Sequence, residues 1–116
     1  MTSKEQRLKK ENEFLDRNIF VGLTNLNDGF DSPDVKYFSE QDFEIVIQRV
    51  KKLGLGIYGI EPWKDGDFYG VQTHEQVPAD PTDASWYERS FQDFKETGEK
   101  LQYAATYYIR EELIAD

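Results

Sequence analysis

His74 is the only histidine in the 116-residue chain, and Glu61 stands thirteen positions before it. A histidine and a carboxylate on one surface are common partners in acid–base chemistry, because their surroundings can bring both to a useful pKa. Their spacing decides how they would cooperate. On a hairpin turning at Asp65-Gly66, the two side chains share a face but lie roughly 13 Å apart along the strands. They can flank a ligand but cannot touch. A serine nucleophile would have to come from Ser32, Ser39, Ser85 or Ser90, and no G-x-S-x-G elbow surrounds any of them. Asp28, Asp31 and Asp34 share one loop, but their spacing and the position of Gly29 miss the calcium-loop pattern, and turn formation accounts for them. Gly54, Gly56 and Gly59 match G-x-G-x-x-G in spacing. That fingerprint holds a dinucleotide only after a strand and before a helix, and here the order is reversed. The chain has no cysteine, which excludes disulfides, thiolate zinc sites and cysteine nucleophiles. No catalytic residue, metal or cofactor is assigned, and the balance leans away from an enzyme.

Composition narrows the partners. Hydrophobic residues make up 38% and aromatic residues 15%, enough for a packed core in one domain. No apolar run approaches the roughly 20 residues of a membrane span. The start, MTSKEQRLKKENEF, lacks the apolar centre of a signal peptide. A cytoplasmic protein of bacterial type, with no membrane contact, is expected. The net charge is −9, unevenly spread: residues 1–17 carry five basic and four acidic side chains, so the remainder carries −10. Such a body repels phosphate backbones, so no nucleic acid is expected. Two acidic stretches, 28–44 and 75–99, each carry a net −5 and suit a basic protein partner.

These residues need elements to position them. Residues 1–18 read as a charged helix or arm, with Leu8, Phe14 and Leu15 as a narrow apolar stripe that can cover the body or form a homodimer contact. Residues 19–116 read as one α+β domain. IFVGL, 19–23, alternates like a strand, and TNLNDGFDSPD is a loop. Ser39 caps a helix whose Phe43, Val46, Ile47 and Val50 form one face, and Gly54 ends it. Asp65-Gly66 turns a hairpin with Trp63 facing Phe68, Ile60 facing Val71 and Ile57 facing His74. Ser85 and Glu88 box the start of another helix. Gly98 ends it before LQYAATYYI, which reads as a strand, and REELIAD makes a final helical turn. The order is then β-α-β-β-α-β, the split pattern of ferredoxin-like domains, on an antiparallel sheet. The alternative is one helix from 85 onward over a three-stranded sheet.

Both internal helices of a split βαβ sheet lie on one face, leaving the other open. Strand alternation assigns Ile19, Val21, Leu23, Ile60, Val71, Leu101, Ala105 and Ile109 to the covered face, with Tyr58, Tyr69, Tyr103 and Tyr107 among them. The open face then carries Phe20, Ile57, Glu61, Trp63, Phe68, Gln72, His74, Thr106 and Tyr108 among Gly22, Gly59, Gly70 and Ala104. Small residues let another chain or ligand come close. Phe20, Glu61, Trp63, Phe68, Gln72, His74 and Tyr108 are the candidate contact residues. The expected function is a non-catalytic, acidic interaction domain binding a protein partner, for example a basic nuclease or toxin. The alternative is a small enzyme or small-molecule binder using the same face around His74.

Overall fold

The computed structural model describes residues 3–115. Helix α1 spans Lys4–Asn18 and opens on a reciprocal capping box: Ser3 Oγ accepts from Gln6 N–H at 3.1 Å, and Gln6 Oε1 accepts from Ser3 N–H at 3.0 Å. Helix α2, Glu40–Lys52, is capped by Ser39 as its sequence predicts, and it buries Phe43, Val46, Ile47 and Val50. Strand β1, Gly56–Lys64, turns through Asp65 and Gly66, whose positive φ values of 52° and 81° meet the need of a two-residue hairpin. β2 (Asp67–Phe68) and β3 (Gln72–Thr73) follow, then α3 (Ala84–Lys95), β4 (Gln102–Tyr108) and a short 3-10 turn, Glu111–Leu113. The described residues form an α+β structure with three helices and an open, four-stranded antiparallel sheet.

β1 is central. β4 pairs along one side of it, while β2 and β3 pair in succession along the other. Helices α2 and α3 cover one face. Tyr103 of β4 lies between them, stacked on Phe43 at 5.2 Å and edge-on to Phe91 at 5.0 Å. Aromatic pairs of this kind add about 0.5–1.5 kcal/mol each beyond their burial. Leu15 and Ile19 join the same core. Among the described residues no helix is long and apolar enough to cross a membrane.

Several expectations are corrected. Residues 19–23 form no strand, so the split β-α-β-β-α-β order is not formed among the described residues. α1 runs on instead: Ile19 is its C-cap, the N–H groups of Ile19 and Phe20 both bond Leu15 O at 2.8 Å, and Gly22 turns at φ +79°. Alternation over five residues cannot distinguish this helix end from a strand. Arg49 secures it by donating to Ile19 O at 2.9 Å and Val21 O at 2.7 Å. The cap of α3 is Asp83, whose carboxylate accepts from Ser85 N–H at 3.0 Å, rather than Ser85 itself. Residues 102–108 are extended, as the break at Gly98 predicts, and no long C-terminal helix forms.

Two irregularities shift the faces. The hairpin begins in the expected register, with Trp63 opposite Phe68. Then the N–H groups of Tyr69 and Gly70 both reach Pro62 O, at 3.1 and 3.3 Å, and pairing resumes one residue out, with Ile60 opposite Gln72. A one-residue slip exchanges the faces of everything beyond it. Val71, expected in the core, is 46% exposed, and Gln72 moves to the face of the buried Ile60. A bulge at Tyr58, between the Ile57 and Gly59 pairings to β4, does the same in β1. Ile57 is therefore buried, and Tyr58 is exposed. Val21 and Tyr69 are also exposed rather than core.

Candidate functional site

The open face of the sheet is roofed at its hairpin end. At the hairpin end the loop from residue 24 to 38 folds over it. Phe30 packs on Tyr37 at 4.8 Å and on Trp63 at 5.5 Å, and Tyr37 meets Trp63 at 5.4 Å. One side chain organises this loop. Asn27 Nδ2 donates to the carbonyls of Ser32 and Val35, both at 2.8 Å, and its Oδ1 accepts from Gly29 N–H at 3.1 Å. Asn25 Oδ1 receives the N–H groups of Asn27 and Tyr37, both at 3.0 Å. An asparagine carries both donor and acceptor groups, so it can replace a missing ladder in this way.

The loop brings Asp31 to the same cleft that Glu61 lines. The buried Tyr37 hydroxyl donates to Asp31 Oδ2, and the negative charge of Glu61 acts on the same hydroxyl. Glu61 Oε2 also accepts from Trp63 Nε1 at 3.0 Å. Burial and the two carboxylates push the Tyr37 phenol far above its usual pKa, so it remains a donor. The Tyr37 O–H and the Ser32 N–H hold the Asp31 carboxyl below its ordinary range. Asp31 and Glu61, each bonded to an aromatic side chain, thus line one cleft at the edge of the open face.

From there a cleft of about 1140 Å³ runs between α1 and the sheet. Gly59, Ala104 and Thr106 form its floor, with Val71, Tyr58 and Tyr108 along the sheet side. α1 forms the far wall through Arg7, Leu8, Glu11 and Leu15, and Phe20 closes its lower end. Leu8 is 56% exposed, so the N-terminal helix borders this face without filling it. Six acidic residues (Glu11, Asp16, Asp31, Asp34, Glu61 and Glu75) and three basic ones (Lys4, Arg7 and Lys36) line the cleft, which is negative on balance. Lys36 pairs with Asp16 at 3.7 Å, and Arg7 with Glu111 at 3.6 Å.

Of the residues singled out from sequence, Phe20, Glu61, His74 and Tyr108 line this one cleft. Trp63 lies beside it under the loop, and Phe68, 58% exposed, stands edge-on to Trp63 at 6.3 Å. Gln72 is on the other face, for the reason given above. Phe20 is not a strand residue: it packs on Phe38 at 5.0 Å and Tyr107 at 5.6 Å. His74 has a structural task. Its Nδ1 bonds Ala79 O, and its own carbonyl accepts from Ala79 N–H, both at 2.8 Å, which pins the loop that follows. The nearest carboxylate is that of Glu75, at 3.8 Å from Nε2. Among the described residues no three His, Cys, Asp or Glu side chains gather as a metal site.

Asp31, Tyr37 and Asn27 were not singled out as site residues. The sequence carries a signal for the loop itself, since 24–34 is dense in Asn, Asp and Gly, but nothing in the spacing shows which sheet residue the loop will meet. Compared with known proteins, the chain matches no family model, no curated protein and no solved structure.

Proposed function

We propose that the protein is a non-catalytic binding module that takes a positively charged part of a protein partner into the cleft between α1 and the sheet. The observation that carries this reading is two carboxylates on the lining of one cleft, Asp31 held by Tyr37 and Glu61 held by Trp63, beside a floor of small residues. The pair is pre-organised, so a cation meets it without first ordering it. The exposed Tyr58 and Val71 line the same cleft and offer apolar area that a partner would cover. The net charge of −9 favours a basic partner and would speed its approach. A basic nuclease or toxin fits this description.

The test is a nuclear magnetic resonance titration of the labelled protein with a lysine-rich peptide and with its glutamate counterpart. The lysine peptide is expected to shift the amides of Gly59, Glu61 and Ala104 in particular. Those shifts shrink as salt is raised and weaken in Glu61→Gln. Shifts spread evenly over the acidic surface, or equal shifts with the glutamate peptide, would refute the assignment.

A further inference from the structure

The outer edge of β4 is open where it borders the cleft. Phe38 and Tyr103 exchange both backbone hydrogen bonds, each at 2.8 Å, in an isolated antiparallel bridge. In such a ladder, successive residues direct their N–H and C=O groups to opposite edges. Tyr103 therefore points outward, and so do Ala105 and Tyr107, while Ala104 and Thr106 point to β1. Pro62 fits this phase, because it has no N–H and stands opposite Tyr103 on β1. By the same alternation Tyr37 faces away from β4, and Lys36, the residue that would face Ala105, makes no backbone bond to it among the described residues. Tyr37 N–H goes to Asn25 Oδ1 at 3.0 Å, and Tyr37 O accepts from Leu26 N–H at 2.7 Å. Among the described residues, no backbone group takes up the outward N–H and C=O of Ala105 and Tyr107. Both residues line the cleft.

We propose that the cleft receives an extended segment of the partner as an added strand, antiparallel to β4, with apolar and basic side chains in alternation. This rests on the reading that the cleft binds a cationic partner, and adds how it does so. An exposed sheet edge beside a helix gives affinity through backbone bonds and selectivity through alternate side chains. Residues bonded to Ala105 and Tyr107 share their face, the helix-covered one, where Phe20 lies against Tyr107. Those positions suit apolar side chains. The residues between them face the Asp31–Glu61 side and suit lysine or arginine. The cleft volume of about 1140 Å³ exceeds the roughly 300–1,000 Å³ of ordinary small-molecule sites and leaves room for several residues. Residues of α1 line the same cleft as Ala105 and Tyr107.

The probe is a nine-residue peptide of alternating valine and lysine, capped at both ends, added to the labelled protein. Without it, the amides of Ala105 and Tyr107 exchange with solvent quickly and those of Ala104 and Thr106 slowly. With it, exchange at Ala105 and Tyr107 is expected to slow at least about tenfold. N-methylating the valine amides should weaken binding at least about tenfold, because those amides face β4, while N-methylating the lysine amides leaves it intact. Binding that moves Glu61 but leaves Ala105 and Tyr107 unprotected overturns strand addition and leaves the cationic reading standing. Absence of binding overturns both. Protection that rises with protein concentration alone, without peptide, assigns the edge to a second copy and also overturns the proposal.

Discussion

Asn27→Ala tests how the roof of the site is held. The side chain makes three well-formed bonds, to Ser32 O and Val35 O at 2.8 Å and from Gly29 N–H at 3.1 Å. Contacts at 3.4 Å to Asp31 O and from Asp31 N–H add little. Each well-formed bond contributes about 1 kcal/mol net, and the groups freed near the surface regain water. The expected loss is about 2–3 kcal/mol, a large share of the roughly 5–15 kcal/mol typical of a domain but too little to unfold it. The loss is also local. Without the asparagine the loop no longer holds Phe30 on Trp63 or Asp31 on Tyr37, so Trp63 becomes accessible while Trp86, in the core, does not. Urea unfolding gives the stability, and acrylamide quenching of tryptophan emission reports the loop. Asn27→Asp keeps the acceptor and removes the donors, and should fall between wild type and alanine. A loss below about 0.5 kcal/mol with unchanged quenching would mean that the aromatic contacts alone hold the loop.

A Cβ on Gly56 would stand 2.9 Å from the backbone of Pro81, so Gly56→Ala should cost about 1–3 kcal/mol in urea unfolding; a neutral result would show that the 79–81 loop yields freely. The Asp31 carboxyl has a lowered folded-state pKa, so the stability it contributes is complete above the unfolded value near 4 and is lost as pH falls through the folded value. Tyr37→Phe should flatten that part of the stability–pH curve between about pH 2 and 5, and an unchanged slope would detach Asp31 from the tyrosine. The Tyr103 hydroxyl is buried and finds no partner among the described residues, so Tyr103→Phe should leave the thermal midpoint unchanged or raise stability by up to about 1 kcal/mol. A loss larger than that would reveal a partner for the hydroxyl.

Elements with strong local signals were readable in the sequence. Ser39 and the Phe43–Val46–Ile47–Val50 stripe define α2, Asp65-Gly66 defines the turn, and the break at Gly98 frees β4 to be a strand. What failed was phase. The bulge at Tyr58 and the slip at residues 69–71 depend on how β1 meets two neighbours at once, and no local pattern records that. Each moves side chains by one residue, which is enough to send Ile57 inward and Gln72 to the wrong face for the cleft. Glu61 and Tyr108 escaped because they lie where alternation is unbroken. The strand expected at 19–23 failed differently: the carbonyls of Ile19 and Val21 found Arg49, thirty and twenty-eight residues away, instead of a neighbouring strand.

The cleft joins two kinds of structure with different tolerances. Its floor belongs to the sheet, whose other face carries the buried core through Ile60 and Tyr103. Its walls belong to irregular chain and to a helix end, and these are tied down by polar anchors: Asn27 inside the loop, and Arg49 on the carbonyls that follow α1. Core packing resists substitution because lost volume leaves a cavity, whereas a polar anchor near the surface costs only the net of a few hydrogen bonds. Changes to the anchors should therefore reshape the site before they endanger the fold, and changes beneath the floor should do the reverse. A surface built this way can be altered while the domain beneath it stays folded. The separation also explains why the sequence disclosed the sheet and helices more readily than the site: the fold is written in periodic apolar residues, and the site in single polar ones whose partners are distant in the chain.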